Sequence, residues 1–138
     1  RSGTVPVPAI LAWQHALSQH TTHAPDADIA DILQQHDLPL YRDPSATYSP
    51  FIVMINTAPV DGEVLQHALE EKGILVGLGS ACRASKKKAS PTQAAMGLSK
   101  DQSRQSIRIS CPPGYDLGEF DETAKIRHET WSGLKRFY

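Results

Sequence analysis

The order of apolar runs and breaks predicts an α/β domain of the layered α+β kind, with a three- to four-stranded sheet packed with helices. Three observations carry that expectation. Residues 51–55 form a continuous apolar, β-branched run, and residues 106–110 alternate Ile107 and Ile109 with Arg108, so both read as strands. Segments with apolar residues at spacings of three and four lie around them. No internal repeat interrupts the pattern, and 138 residues suit a single domain.

Taken in order, Gly3, Pro6 and Pro8 make an extended or turning entry. Ile10, Leu11, Trp13, Ala16 and Leu17 then predict an amphipathic helix over roughly residues 8–20. Pro25 and Asp26 mark a fresh start, and Ile29, Ile32 and Leu33 predict a second helix that ends near His36. Pro39, Pro44 and Pro50 puncture the next stretch, leaving room for one short strand at Leu40 and Tyr41. After the strand at 51–55, Asp61 opens a third helix whose stripe is Val64, Leu65, Ala68 and Leu69, and Gly73 stands where a helix-ending glycine belongs. Residues 74–76 read as another strand, and the last helix runs from about Gly118 to Lys135, with Phe120, Ala124, Ile126, Trp131 and Leu134 as its apolar positions.

Composition excludes several classes. Hydrophobic residues make up 40% and charged residues 21%, which argues against a disordered tail. No apolar run is long enough for a transmembrane helix. Two cysteines are too few for a disulfide-stapled module. A net charge of −1, from 14 basic and 15 acidic residues, is too balanced for a general nucleic-acid or membrane-surface protein. His15, His20, His23 and His36 have no metal-site spacing and read as helix-surface residues. The chain starts at Arg1 with no initiator Met and no signal-peptide pattern, which raises the expectation of a fragment or processed chain.

Chemistry concentrates between the second and third strands, in Gly77-Leu78-Gly79-Ser80-Ala81-Cys82-Arg83-Ala84-Ser85-Lys86-Lys87-Lys88. Glycines, small residues and a polar run predict an exposed, mobile loop. Free cysteine normally prefers burial, and basic neighbours favour the nucleophilic thiolate. Cys82 is therefore either a reactive thiol or an inconsequential loop cysteine beside a solvated lysine run. Arg108 is either a bidentate carboxylate binder or a solvent-facing strand residue.

Several motifs together resemble the C-terminal part of the cysteine desulfurases, pyridoxal-phosphate enzymes of the class V aminotransferase family. Gly79-Ser80-Ala81-Cys82 is followed by Met96-Gly97-Leu98, with Gly97 fifteen positions after the cysteine, and then by Ser106-Ile107-Arg108-Ile109-Ser110. Arg1-Ser2-Gly3-Thr4 is similar to the family's Arg-Ser-Gly-Thr segment, and Val60-Asp61-Gly62-Glu63 leading to Gly73-Ile74 is similar to its approach to the cysteine loop. The likeness covers nearly the whole chain; residues 21–48 and those after 112 match loosely.

The resemblance implies specific roles. Cys82 is the counterpart of the cysteine that takes sulfur from L-cysteine held on pyridoxal phosphate, giving alanine and a persulfide. Arg108 matches the arginine that holds the substrate carboxylate. Thr4 matches a threonine that contacts the cofactor phosphate across the dimer interface. The fifteen-residue spacing resembles the subgroup whose long loop carries sulfur to scaffold or tRNA-modifying partners. Cys111 reads as a small buried hydrophobe rather than a relay thiol. Lys86, Lys87 and Lys88 read as a solvated charge cluster rather than a docking site for an acidic protein or tRNA.

The family's cofactor lysine follows a histidine, and none of the seven lysines here does. The expectation is therefore that residues 1–138 form the small C-terminal domain of a roughly three-times-longer homodimeric enzyme, that the large domain bearing the cofactor lysine is absent, and that the segment alone is inactive. The resemblance further implies a sulfur-acceptor protein as partner, no membrane or direct nucleic-acid contact, no metal, and a cytoplasmic location, or an organellar one in a eukaryote. Two alternatives stay open: a detached persulfide-carrying or partner-binding module, and a selenocysteine lyase-like or other class V enzyme.

Overall fold

The computed structural model describes residues 3, 5–19, 28–43, 45–79, 90–112 and 114–138. Six helices and two strands follow in the order α1 (Val7–Gln19), α2 (Ile29–Gln35), β1 (Ile52–Asn56), α3 (Gly62–Glu70), α4 (Pro91–Ala95), α5 (Lys100–Arg104), β2 (Ser106–Ser110) and α6 (Leu117–Lys135).

β1 and β2 pair antiparallel, with Val53 opposite Ile109, Met54 opposite Arg108 and Ile55 opposite Ile107. Strand alternation separates two faces. Val53, Ile55, Ile107 and Ile109 are buried on one of them, and α2, α3 and α6 supply Leu33, Leu65, Leu69, Phe120 and Ala124 to the same core. The other face carries Met54, Ser106 and Arg108.

The α+β class holds, but the sheet is smaller than the sequence predicts. Among the described residues it has two strands, with one isolated bridge on each outer side: Leu40 to Ile55, and Gly77 to Arg108. Both would-be strands stop for identifiable reasons. Pro39 has no N–H to donate, so on that side its carbonyl accepts from Asn56 (2.8 Å) while Tyr41 N–H donates to Met54 (2.9 Å). On the other side, Ile74 N–H closes the end of α3 on Leu69 O (2.9 Å), and Val76 O accepts from the Gln66 side chain (3.1 Å) instead of from a ladder partner. Residues 74–76 still alternate buried, exposed, buried, as an extended segment does.

Helix starts follow their caps. Asp28, Asp61 and Asp116 accept from the first-turn amides of α2, α3 and α6. Ser99 and Gln102 form a reciprocal capping box on α5. At the start of α3, Gly62 lies so close to β2 that an added Cβ would stand 2.5 Å from Ser106 O, a backbone atom that cannot swing away. This contact seats α3 on the strand that carries Arg108. Trp131 ties α6 to the turn after β1 by donating from Nε1 to Thr57 O at 2.9 Å, and His36, just past the end of α2, meets Asp121 of α6 at 2.7 Å.

The first helix forms where its periodicity predicts, but its apolar residues are not buried. Leu11 is 58% and Trp13 67% exposed, and no residue of α1 is buried. Its stripe has no partner among the described residues.

Candidate active site

Arg108 sits mid-strand in β2, on the face away from the core, and is half-buried. Its backbone and that of Gly77 exchange both hydrogen bonds, Arg108 N to Gly77 O at 2.6 Å and Gly77 N to Arg108 O at 2.8 Å. The guanidinium then lies over the same segment, with one terminal nitrogen donating to Gly79 O at 3.3 Å. A Cβ on Gly77 would stand 3.1 Å from the other terminal nitrogen, so glycine there lets the guanidinium lie close to the backbone. Arg108 has no carboxylate partner among the described residues.

A cavity of about 450 Å³ opens beside it, lined in part by Tyr41, Tyr48, Met54, Gly79, Gln93 and Arg108. Gln93, on the short helix α4, is 2% exposed and donates from Nε2 to Ser106 Oγ at 2.8 Å; Ser106 Oγ in turn donates to Ser103 O at 2.9 Å. A Cβ on Gly79 would stand 2.7 Å from the Gln93 side-chain oxygen, so a larger residue there would have to displace the Gln93 amide from its bond to Ser106. Sequence reading singled out Arg108 and the two glycines but missed Tyr41 and Gln93. They come from segments 67 and 15 residues away from Arg108, and nothing local in the sequence links them to it.

Of the other predicted site residues, Cys82, Thr4, Lys86, Lys87 and Lys88 lie outside the described residues, as do His20 and His23. Among the described residues no group of three His, Cys, Asp or Glu side chains is arranged to hold a metal ion, and no helix is long and apolar enough to cross a membrane. A second cavity, of about 440 Å³, is lined by Asp61, Glu63, His67 and Arg104, but Arg104 and Asp61 already pair with each other at 3.1 Å.

Cys111 is half-buried and packs against the core at the end of β2, as a small hydrophobe would. Burial pushes its thiol up, with the Arg127 guanidinium pulling partly the other way. The thiol is therefore protonated at neutral pH. Iodoacetamide at pH 7 should modify Cys111 at least about tenfold more slowly than an unstructured cysteine peptide. Mass spectrometry of the time course checks this, and equal rates would show a solvent-accessible thiolate.

The arrangement, a small antiparallel sheet with helices on one face and an arginine cavity on the other, is a fold found inside larger proteins. No family model matches the chain. Among solved structures it is similar to a NifS-like protein (22% identity, TM-score 0.63), over 96% of this chain and 35% of that one. It is similar also to a NifS-like protein from Rickettsia africae ESF-5 (18% identity, TM-score 0.63), over 96% of this chain and 36% of that one. A structure of SspA in complex with cysteine matches at 23% identity and TM-score 0.54, over 82% of this chain and 32% of that one. The chain thus spans about a third of the length of the structures it resembles.

Proposed function

We propose that this chain is the smaller portion of a cysteine desulfurase, and that it contributes a carboxylate-binding arginine, Arg108, and a sulfur-accepting thiol, Cys82. The net reaction is L-cysteine plus the Cys82 thiol giving L-alanine plus a Cys82 persulfide. The carbon–sulfur bond of the substrate breaks, a sulfur–sulfur bond forms on Cys82, and the substrate carbon gains a proton, so the reaction needs no external oxidant or reductant. Passing the persulfide sulfur to an acceptor protein, for iron–sulfur cluster assembly or tRNA thiolation, completes the cycle in a homodimeric enzyme.

The observation that carries the reading is the Arg108 guanidinium, free of any described carboxylate and facing a cavity large enough for an amino acid. A guanidinium fork matches a carboxylate in geometry and charge. Connectivity adds support. Cys82 follows Gly79 by three residues, so the extended chain keeps its Cα within about 11 Å of Gly79, and Gly79 O itself accepts from Arg108. The likeness to NifS-like proteins, and to a protein solved with cysteine, points the same way.

Pyridoxal phosphate supplies the electron sink for such chemistry when bound. No lysine among the described residues lines the Arg108 cavity. These residues do not by themselves fit the cofactor, and its attachment belongs to the rest of such an enzyme, with Thr4 as this chain's contact to the phosphate.

The test uses the longer protein that carries this chain. Incubated with L-cysteine, it should release L-alanine, and Cys82 should gain the mass of one sulfur atom. Cys82→Ser should retain L-cysteine binding and form no persulfide. Alanine release unchanged in that variant would remove Cys82 from its role, and no alanine from the parent would overturn the reading.

A further inference from the structure

We propose that Tyr41 is a second carboxylate-binding residue, its phenol hydroxyl donating a hydrogen bond to the same ligand carboxylate that Arg108 grips. The inference rests on the carboxylate reading of Arg108 and adds to it the residue that completes the anion site.

Backbone register places the two residues on one face. Leu40 bridges Ile55 and packs against the core, so the next residue, Tyr41, points to the opposite side. Tyr41 N–H donates to Met54 O (2.9 Å), and Met54 is the cross-strand partner of Arg108. One residue therefore separates Tyr41 from Arg108 across the sheet, and both line the 450 Å³ cavity.

The hydroxyl itself is anomalous. It is buried and has no hydrogen-bond partner among the described residues. A buried hydroxyl with nothing to bond to is costly, and native structures rarely leave one without a reason. A ligand in the cavity supplies that reason. Burial also pushes the Tyr41 hydroxyl up from its ordinary value, which keeps it protonated and a donor at neutral pH.

A carboxylate suits both groups. Its two oxygens offer about four acceptor sites, enough for a guanidinium fork and one further donor. The neighbouring cation does not compete for it. Arg42 is committed to Asp28 at 2.9 Å, and its guanidinium lies 5.1 Å from the Tyr48 ring centroid. Arg42 is thereby paired, and among the described residues that line the cavity the positive charge without an acidic partner is that of Arg108. The class of ligand selected is an α-amino acid that keeps its carboxylate, over the corresponding amine that lacks it.

The 138-residue chain is the material for the test, followed by NMR of the arginine side-chain N–H and tyrosine ring signals. The probes are L-alanine and ethylamine, which differ by the carboxylate. L-Alanine should shift the Arg108 and Tyr41 signals in the parent, and ethylamine neither. In Tyr41→Phe, L-alanine affinity should fall by about tenfold or more, while the thermal midpoint holds or rises because an orphaned hydroxyl is gone. A purely structural role for the hydroxyl would instead lower the midpoint and leave affinity alone. Parent-like affinity in Tyr41→Phe overturns the Tyr41 assignment and leaves Arg108 as the anion site. Equal responses to L-alanine and ethylamine, or none to either, overturn the carboxylate reading and the Tyr41 proposal with it.

Discussion

In the desulfurase proposed above, Arg108→Ala should lower kcat/KM for L-cysteine by about 30- to 1,000-fold, the equivalent of roughly 2–4 kcal/mol for truncating one partner of a desolvated charge pair. Most of the loss falls in KM, because the carboxylate is bound alike in substrate and transition state and takes no part in bond breaking. Arg108→Lys recovers part of it. The ammonium keeps the charge but loses the two-pronged fork and the reach to Gly79 O, so a deficit of about tenfold remains. Neither change should disturb folding. The Arg108 side chain leaves the sheet on the side away from the core, and the strand's register is fixed by backbone bonds to Gly77 and by the buried pairs Val53–Ile109 and Ile55–Ile107. Steady-state kinetics with L-cysteine, alongside thermal melts of each variant, separates binding from stability. Unchanged kcat/KM in Arg108→Ala would mean that the cavity does not hold the substrate carboxylate.

Arg108 was legible because a charged residue between Ile107 and Ile109 in an alternating strand must face away from the core. The strand at β1, the capped start of α3 at Asp61 and the long α6 were legible too, since each carries its own periodicity or cap. α4 and α5 were not, because five residues are too few to show a helical stripe. The Ser99–Gln102 capping box was the one local signal of α5. In α6, the pattern named Ile126 and Leu134 where the structure buries Arg127 and Thr130 more fully. A polar side chain inside a helix face is invisible to apolar periodicity, and Arg127 is buried with its guanidinium over the Phe120 ring and bonded to Thr123.

The pairing of residues distant in sequence was the larger gap. Residues 74–76 and 40–41 both look like strands locally, and whether a strand extends depends on which backbone groups have already found partners. Here Gln66 and a proline decide the matter. Tyr41 and Gln93 join the cavity only through that folding. The apolar stripe of α1 shows the opposite case: periodicity correctly predicts a helix and says nothing about whether the partner for its stripe lies within the same domain.

The largest loss of stability is expected from Phe120→Ala, at about 3–5 kcal/mol, a large part of the roughly 5–15 kcal/mol that holds a domain together. Phe120 is fully buried in the first turn of α6, where its amide donates to Asp116 O at 3.0 Å. The Tyr115 ring meets it edge-on at 6.0 Å, and the Arg127 guanidinium lies over it at 5.2 Å. Removing the ring leaves a void that its neighbours cannot easily fill: Ala124 is small, and Arg127 is anchored to Thr123 at 2.8 Å. It also strips the aromatic cover from a buried cation whose Nε already lacks a partner, so the cost exceeds that of the cavity alone. Phe120→Leu, which keeps most of the volume, should cost clearly less. Urea unfolding of both variants measures the difference as a shift in midpoint at constant slope. Phe120 belongs to the core layer and Arg108 faces away from it, with no shared partner. The stability cost of Phe120→Leu and any stability cost of Arg108→Ala should then add to within about 0.5 kcal/mol in the double variant. A larger coupling would mean that strain in the core reaches the cavity through β2, the one element that carries Ile107 and Ile109 on one face and Arg108 on the other.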